Sequence, residues 1–134
     1  MSRALGVDYG TKRVGLAISD ALGLTARPLA VVPRSSVVEE VVNLVKAQDV
    51  GTIVVGLPTG LSGDEGTSAS EARNLADELG LATGVEVVLR DERYTSRMAE
   101  TALVESGMKR RKRRETVDKV AAAIILQDFL DNNR

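Results

Sequence analysis

The sequence has neither cysteine nor histidine, and its aromatic residues are two tyrosines and one phenylalanine. Without cysteine, disulfide bonds and thiolate zinc sites are excluded. Without histidine, Ser-His and Cys-His catalysis and histidine-bound metals are excluded as well. So few aromatic rings also argue against binding single strands by base stacking. Any acid-base or metal chemistry must therefore use Asp, Glu, Lys, Tyr or water.

Long hydrophobic runs are missing too. No stretch of 18 consecutive apolar residues is present, so we expect no membrane-spanning helix. The first residues lead straight into a strand pattern, and we therefore expect no signal peptide. A chain of 134 residues, 43% of them hydrophobic, is typical of one globular domain with its own core. These features predict a single domain over residues 1–134 that works in the cytoplasm.

The net charge is only -1, but positive charge is concentrated in one segment. Residues 97–119 contain eight Lys and Arg against four Asp and Glu. A local basic patch on a nearly neutral chain indicates one site for an anionic partner. Charge alone leaves open the alternative of a solvated basic segment without a ligand. Six of the cations are consecutive: Lys109, Arg110, Arg111, Lys112, Arg113 and Arg114.

Hydrophobic periodicity predicts five strands and four helices, in the order βββαβαβαα. Three meandering strands followed by alternating helix and strand predict an α/β fold with helices on both faces of a mixed sheet. In that sheet strands one to three are an antiparallel meander, and strands four and five run parallel to strand one. The predicted strands are 3–10, 14–20, 28–33, 51–58 and 85–93, and the helices begin near 36, 67, 95 and 115.

Two local patterns add detail to this prediction. Ser36 and Glu39 have the spacing of a capping box, and Val37, Val41 and Leu44 belong to one apolar helix face. The segment 56–66 is rich in glycine but lacks the GxxxxGK[ST] pattern of a P-loop. We therefore expect it to be a flap at the mouth of a site.

Acidic residues fall at three strand or helix ends. Asp8 ends the first predicted strand, Asp91 and Glu92 end the fifth, and Asp118 lies near the start of the last helix. Because ligands gather at the carboxyl ends of parallel strands, these acids can converge. Singly, each has a simpler explanation as a turn residue or a partner of the helix dipole. Successive strand residues face opposite ways, so only one of Asp91 and Glu92 can point at the site, and the longer reach favours Glu92.

Clustered carboxylates repel one another and need a counter-charge. Mg²⁺ or Mn²⁺ supplies one, since these ions prefer oxygen ligands. One or two such ions held by Asp8, Glu92 and Asp118 can activate water and stabilise the leaving oxygen of a phosphodiester. The basic run, together with Lys12 and Arg13 in the turn after Asp8, would hold the nucleic-acid backbone. The residues thus predict metal-dependent chemistry on a phosphate backbone.

At this point a family resemblance is evident. The segments VDYGTKRVGLAISD, IVVGLP, DERYTS and VDKVAAAIILQDFL resemble the YqgF/RuvX family of RNase H-like nucleases in order and spacing, over essentially the whole chain. The resemblance implies an RNase H-like fold related to the RuvC Holliday-junction resolvases, and a role in maturing the 5′ end of precursor 16S rRNA. It makes Asp8 the first-strand acid, places the second acidic motif at 91–93, and makes Asp118 the last-helix acid.

Other functions remain open alongside that interpretation. The chain could be a resolvase of branched DNA, or a nucleic-acid or ribosome-binding module without catalysis. The turn after Asp8 also resembles the phosphate loop of actin-like ATPases, but 134 residues leave no room for their second lobe. We expect precursor rRNA as the partner, with branched DNA possible and no membrane, and a monomer or weak homodimer.

Overall fold

The fold is one five-stranded sheet with helices against both faces. The computed structural model describes residues 2–57, 67–91 and 110–132, and the side chains of these residues except 67, 68, 110–116 and 118. The predicted helix over 95–106 and the glycine-rich segment beyond Leu57 lie outside the described residues. The strands are β1 (Arg3–Asp8), β2 (Arg13–Ser19), β3 (Ala26–Pro33), β4 (Val50–Leu57) and β5 (Glu86–Asp91); the helices are α1 (Val37–Ala47), α2 (Thr67–Thr83) and α3 (Arg110–Asn132).

The strand order is β3-β2-β1-β4-β5. Strands β1, β2 and β3 pair antiparallel, whereas β4 is parallel to β1 and β5 is parallel to β4. The predicted mixed sheet is therefore confirmed, strand for strand. Strand β1 lies at its centre with a partner on each side, so its backbone is fully paired and its carboxyl end is held firmly.

Two cores lie on opposite faces of the sheet. Leu5 and Val7 of β1 pack into the larger core, beneath α1 and α2. Ala4, which precedes Leu5, packs into the smaller core beneath α3. The same alternation holds in β4, where Ile53 and Val55 face one core and Val54 faces the other. This period of two fixes the face on which each later strand residue lies.

Helix α3 lies unusually close to the sheet. A Cβ built on Gly6 would come within 2.8 Å of the Ala122 carbonyl oxygen and 2.9 Å of the Leu126 Cβ. Only a glycine at this point lets the helix backbone approach so near. Farther along α3, the Gln127 side chain accepts a hydrogen bond from the Ala26 N–H (2.8 Å) and donates one to the Leu24 carbonyl (3.0 Å). These contacts fix the position of α3 along its axis.

One capping prediction and one boundary prediction are wrong, although α1 does begin directly after Ser36, as predicted. Ser36 ends a short 3-10 turn (Arg34–Ser36), and its hydroxyl donates to the Pro33 carbonyl at 3.3 Å rather than capping α1. Its backbone angles, φ -117° and ψ 4°, are not the extended ones that an N-cap requires. Helix α3 begins at Arg110, not near 115, because Arg and Lys are good helix formers. Within the described part of the chain, no helix is long and apolar enough to cross a membrane.

Candidate active site

Asp8 is a nearly buried carboxylate at the end of the central strand. It is 5% exposed, and Asp8 and Ser19 are the buried polar or charged residues among those the structure describes. Alternation along β1 places Asp8 on the same face as Ala4 and Gly6, which is the face that α3 covers. A charge is costly to bury unless a partner compensates it. The prediction that Asp8 ends the first strand is therefore confirmed, and its role in a site stays a prediction.

The strand register shows which acids share the edge and face of Asp8. Asp8 lies opposite Gly56 of β4, and Gly56 in turn lies opposite Arg90 of β5. Arg90 forms an ion pair with Asp128 of α3, which confirms that it points to the α3 face. Its neighbour Asp91 therefore belongs to the opposite face. Strands β1 and β5 do end at one edge, as predicted, but Asp91 does not lie on the side of Asp8.

The remaining acids are described only in part. Asp118 lies within α3, four residues before Ala122, which is the spacing of one helical turn. Ala122 contacts the sheet at Gly6, two residues before Asp8. One turn along the helix and two residues along the strand cover about the same distance, roughly 6 Å. The backbone at 118 therefore lies in the same helical row as Ala122, toward the end of the sheet that carries Asp8. Glu92 and the Asp118 side chain lie outside the described residues.

The fit of a divalent metal rests on Asp8. Among the described residues there is no group of three His, Cys, Asp or Glu side chains close enough to hold an ion. Asp8 supplies the kind of donor that Mg²⁺ or Mn²⁺ prefers, a carboxylate oxygen at the carboxyl edge of parallel strands and on the face that α3 covers. Its burial beneath α3 is consistent with a ligand that is held in one orientation.

The turn after β1 forms a pocket beside Asp8. A cavity of about 390 Å³ is lined by Gly10, Thr11, Lys12 and Arg13. A Cβ on Gly10 would lie 2.3 Å from the Arg13 carbonyl oxygen, so the turn closes tightly only because residue 10 is glycine. The predicted backbone-binding cations Lys12 and Arg13 are both exposed. Of the basic run, Arg110–Arg114 lie in the first turns of α3, and Lys109 lies outside the described residues.

A group of residues that sequence reasoning missed secures this turn. The Tyr9 hydroxyl donates to Glu71 of α2, and the Arg34 guanidinium carbon lies 5.7 Å from the centre of the Tyr9 ring. Arg34 also pairs with Glu78 at 3.5 Å. Partial burial and the Glu71 hydrogen bond raise the pKa of Tyr9 above its usual 10.0, and Arg34 acts against them. The residues are distant in sequence, so no local pattern could have revealed the group.

The sheet order and the helices on both faces define an RNase H-like domain. Solved structures agree. RuvC of Thermus thermophilus in complex with a Holliday junction substrate superposes with a TM-score of 0.59, at 17% identity, covering 98% of this chain and 95% of that one. The fowlpox virus Holliday junction resolvase gives 0.57, at 11% identity, with 97% of each chain covered. At these identities the likeness establishes the fold.

Sequence comparison gives the particular family. A family model described as "RuvX: Holliday junction resolvase" matches residues 2–132, and the chain belongs to this family of nucleases. A protein of Halalkalibacterium halodurans, named "Putative pre-16S rRNA nuclease", is 42% identical over 98% of this chain and 98% of its own length. A protein of the same name from Anaeromyxobacter sp. is 47% identical over 96% of each chain. The resemblance seen in the sequence is thereby confirmed.

Proposed function

We propose that the protein is a metal-dependent nuclease that hydrolyses phosphodiester bonds in the precursor of 16S rRNA. The observation that carries the proposal is the buried Asp8 carboxylate at the carboxyl edge of β1, in a chain of the RuvX family. Burying a charged carboxylate at this position costs free energy unless a cation or a hydrogen-bond donor stabilises it. Mg²⁺ or Mn²⁺, as one ion or two, is the proposed counter-charge.

Asp8, Glu92 and Asp118 are the proposed metal ligands. Strand register supports Glu92 over Asp91, because Asp91 belongs to the face opposite Asp8. A strand alternation that continued by one residue would bring residue 92 to the correct face. The helical row that joins 118 to Ala122 supports Asp118. Asp91, which the sequence also made a candidate catalytic acid, is then better explained as a residue of the edge strand β5 that belongs to the other face of the sheet.

In this proposal the carboxylates hold the metal and the cations hold the substrate. When bound, the metal supplies Lewis-acid activation of water and stabilisation of the leaving oxygen. The carboxylates hold it in place and keep it oriented, because Asp8 sits on a strand paired at both edges and Asp118 lies on a helix packed against that strand. The cations Lys12, Arg13 and those of Lys109–Arg114 hold the sugar-phosphate backbone. No histidine is needed at any step.

The choice of precursor rRNA is supported by the relatives named "Putative pre-16S rRNA nuclease", which this chain matches over almost their full length. With that substrate goes the proposal that the protein works in the cytoplasm, beside the ribosome. Branched DNA is the second candidate, favoured by the description of the family model and by the resolvase structures. The two substrates differ in what they require. A junction needs two symmetric cuts and hence a dimer, whereas an RNA end needs one copy. Sedimentation of the protein with each substrate, beside a cleavage assay, separates them.

The decisive experiment removes the first-strand acid. Asp8→Asn should abolish cleavage of both substrates and most of the rise in melting temperature that Mg²⁺ or Mn²⁺ produces, since a ligand of the native state stabilises by RT ln(1 + [L]/Kd). Asp49→Asn is the matched control, because Asp49 is exposed, lies at the other end of the sheet and has a positive φ of 53° that asparagine tolerates.

Two further results would decide the details. Glu92→Gln should behave like Asp8→Asn, whereas Asp91→Asn should retain cleavage and the metal response. Equal loss in both would refute the assignment by face. If wild-type protein freed of contaminating nucleases cuts neither substrate but binds one of them, the chain is a binding module that has kept the fold.

A further inference from the structure

The β1–β2 turn is held rigid from two sides by one residue. The backbone N–H of Arg34 donates to the Lys12 carbonyl at 2.9 Å, while its guanidinium lies over the ring of Tyr9. Tyr9 and Lys12 are the two ends of the turn. Arg34 is itself tied to Glu78 of α2, and Tyr9 to Glu71 of the same helix. A connection that merely joined two strands would not need such support, so the shape of the turn matters.

One end of the turn reaches the face of the buried acid, although Tyr9 at the other end packs against the larger core. Gly15 is the register partner of Asp8, and Arg13 precedes Gly15 by two residues, a rise of about 7 Å along the strand. Ala17, two residues further on, packs into the core under α3. Alternation therefore puts Arg13 on the face of Asp8 and at its edge of the sheet. Gly10, Thr11, Lys12 and Arg13 line the pocket described above, so it lies at the edge of the sheet where β1 ends and β2 begins.

The basic run on α3 cannot serve the same position. Arg110–Arg114 precede Asp118 by four to eight residues, which is about 6 to 12 Å along a helix. The backbone of this segment therefore lies farther along α3 from Ala122 than residue 118 does. The two basic segments thus stand at different distances from Asp8, and a single nucleic-acid strand would meet them at different phosphates.

We propose that the turn Gly10–Arg13 is a preformed subsite for the backbone phosphate adjacent to the one that is cut, and that Arg34 is the residue that positions it. The proposal rests on the nuclease function above and names how that function grips its substrate. Lys12 and Arg13 supply the charge, Gly10 lets the turn close, and Arg34 fixes the turn before the substrate arrives. The basic run then binds phosphates farther from the cut.

The test compares substrates that carry one uncharged backbone linkage at different positions. Labelled strands each carry a single methylphosphonate, moved one position at a time across the cleavage site, and binding is measured by anisotropy in EDTA, where no cutting occurs. Lys12→Gln should weaken binding roughly five- to tenfold and reduce the log–log salt slope by about 0.7 on a single strand. At the linkage next to the cut, the methylphosphonate removes the charge that Lys12 is proposed to contact. Lys12→Gln should therefore cause no further loss of affinity on that one substrate.

Arg27→Gln is the control for charge. Arg27 is exposed on β3 and pairs with Ile18 at the far end of the sheet, so its loss should show no dependence on linkage position. Arg34→Met keeps the backbone N–H and removes the contact with Tyr9. We call the dependence of the Lys12→Gln effect on the position of the methylphosphonate the coupling. Arg34→Met should reduce the coupling at the linkage next to the cut and leave the other linkages unchanged. A general loss of stability would affect every linkage alike.

The outcomes separate this proposal from the function it rests on. Cleavage by wild type together with a Lys12→Gln effect that is equal at every linkage would overturn the subsite and leave the nuclease intact. Coupling at one linkage without any cleavage would overturn the nuclease and keep the phosphate subsite. An Arg34→Met variant that lowers affinity equally at every linkage would overturn the positioning role.

Discussion

Replacing Gly6 by alanine tests whether the spacing between α3 and β1 sets the proposed metal site. The added Cβ would lie 2.8 Å from the Ala122 carbonyl oxygen and 2.9 Å from the Leu126 Cβ, where ordinary contacts begin at 3.4 Å. The helix must therefore move away by about half an ångström. Overpacking of this kind costs about 1–3 kcal/mol, which lowers the melting temperature of a chain this size by roughly 3 °C or more for each kcal/mol.

The substitution should weaken metal binding as well as lower stability. Ligand distances in a metal site must hold within about 0.2 Å, and the shift of α3 is larger than that. We expect the dissociation constant for Mn²⁺, measured by thermal shift across a metal titration, to rise about tenfold or more. The reason is that Asp8 stays on the sheet while the acid on α3 moves with the helix.

Gly80→Ala is the matched control. A Cβ on Gly80 would meet only Val87 Cγ2, at an ordinary 3.6 Å, and Gly80 lies inside α2 on the opposite face. Alanine there should stabilise the protein by about 0.5–1 kcal/mol and leave the metal response unchanged. A Gly6→Ala variant that melts early yet binds Mn²⁺ with wild-type affinity would refute the view that helix spacing sets the site.

Two other predictions concern charge. Changing Arg110, Arg111, Arg113 and Arg114 to Gln should flatten the log–log salt slope of nucleic-acid binding by about two to three units, since helical geometry turns only part of the run toward one strand; an unchanged slope would mean a solvated face. Backbone hydrogen bonds to the Asp20 carboxylate, above all the one from the Leu24 N–H, lower the pKa of Asp20 below its usual 3.8. The stabilisation that the Asp20 carboxylate contributes is therefore present above pH 3.8 and lost as the pH falls further. Asp20→Asn should then show a shallower acid unfolding curve than wild type in circular dichroism. A curve parallel to that of wild type would contradict the assignment.

The parts of the fold with a clear period could be predicted from sequence. The run through Leu5 and Val7 indicated a buried strand, and both side chains are fully buried. Val37 and Val41 indicated the inner face of α1, and they are buried as well. Such patterns are reliable because burial on one face leaves a direct record in the spacing of apolar residues.

What could not be predicted depends on contacts between distant segments. The face of Asp91 follows from the register of β4 with β5, and a one-residue slip would reverse it. The role of Gly6 depends on how closely α3 approaches the sheet. The group of Tyr9, Glu71 and Arg34 joins three separate elements. The position of Asp8 in the candidate site was predictable because it needs only a strand end, whereas its surroundings need the folded chain.

The packing of α3 has a consequence for when the protein can act. Gln127 and its partner Ala26 are 101 positions apart, and contacts of such separation form late because closing a long loop costs entropy first. A ribosome adds residues one by one, so β1 and its carboxylate emerge long before the helix that covers them. Until α3 docks, the smaller core is open to water and Asp8 lacks the neighbouring helix. A partly synthesised chain therefore carries Asp8 without the helix that covers its face of the sheet, and this arrangement forms only after α3 has been synthesised.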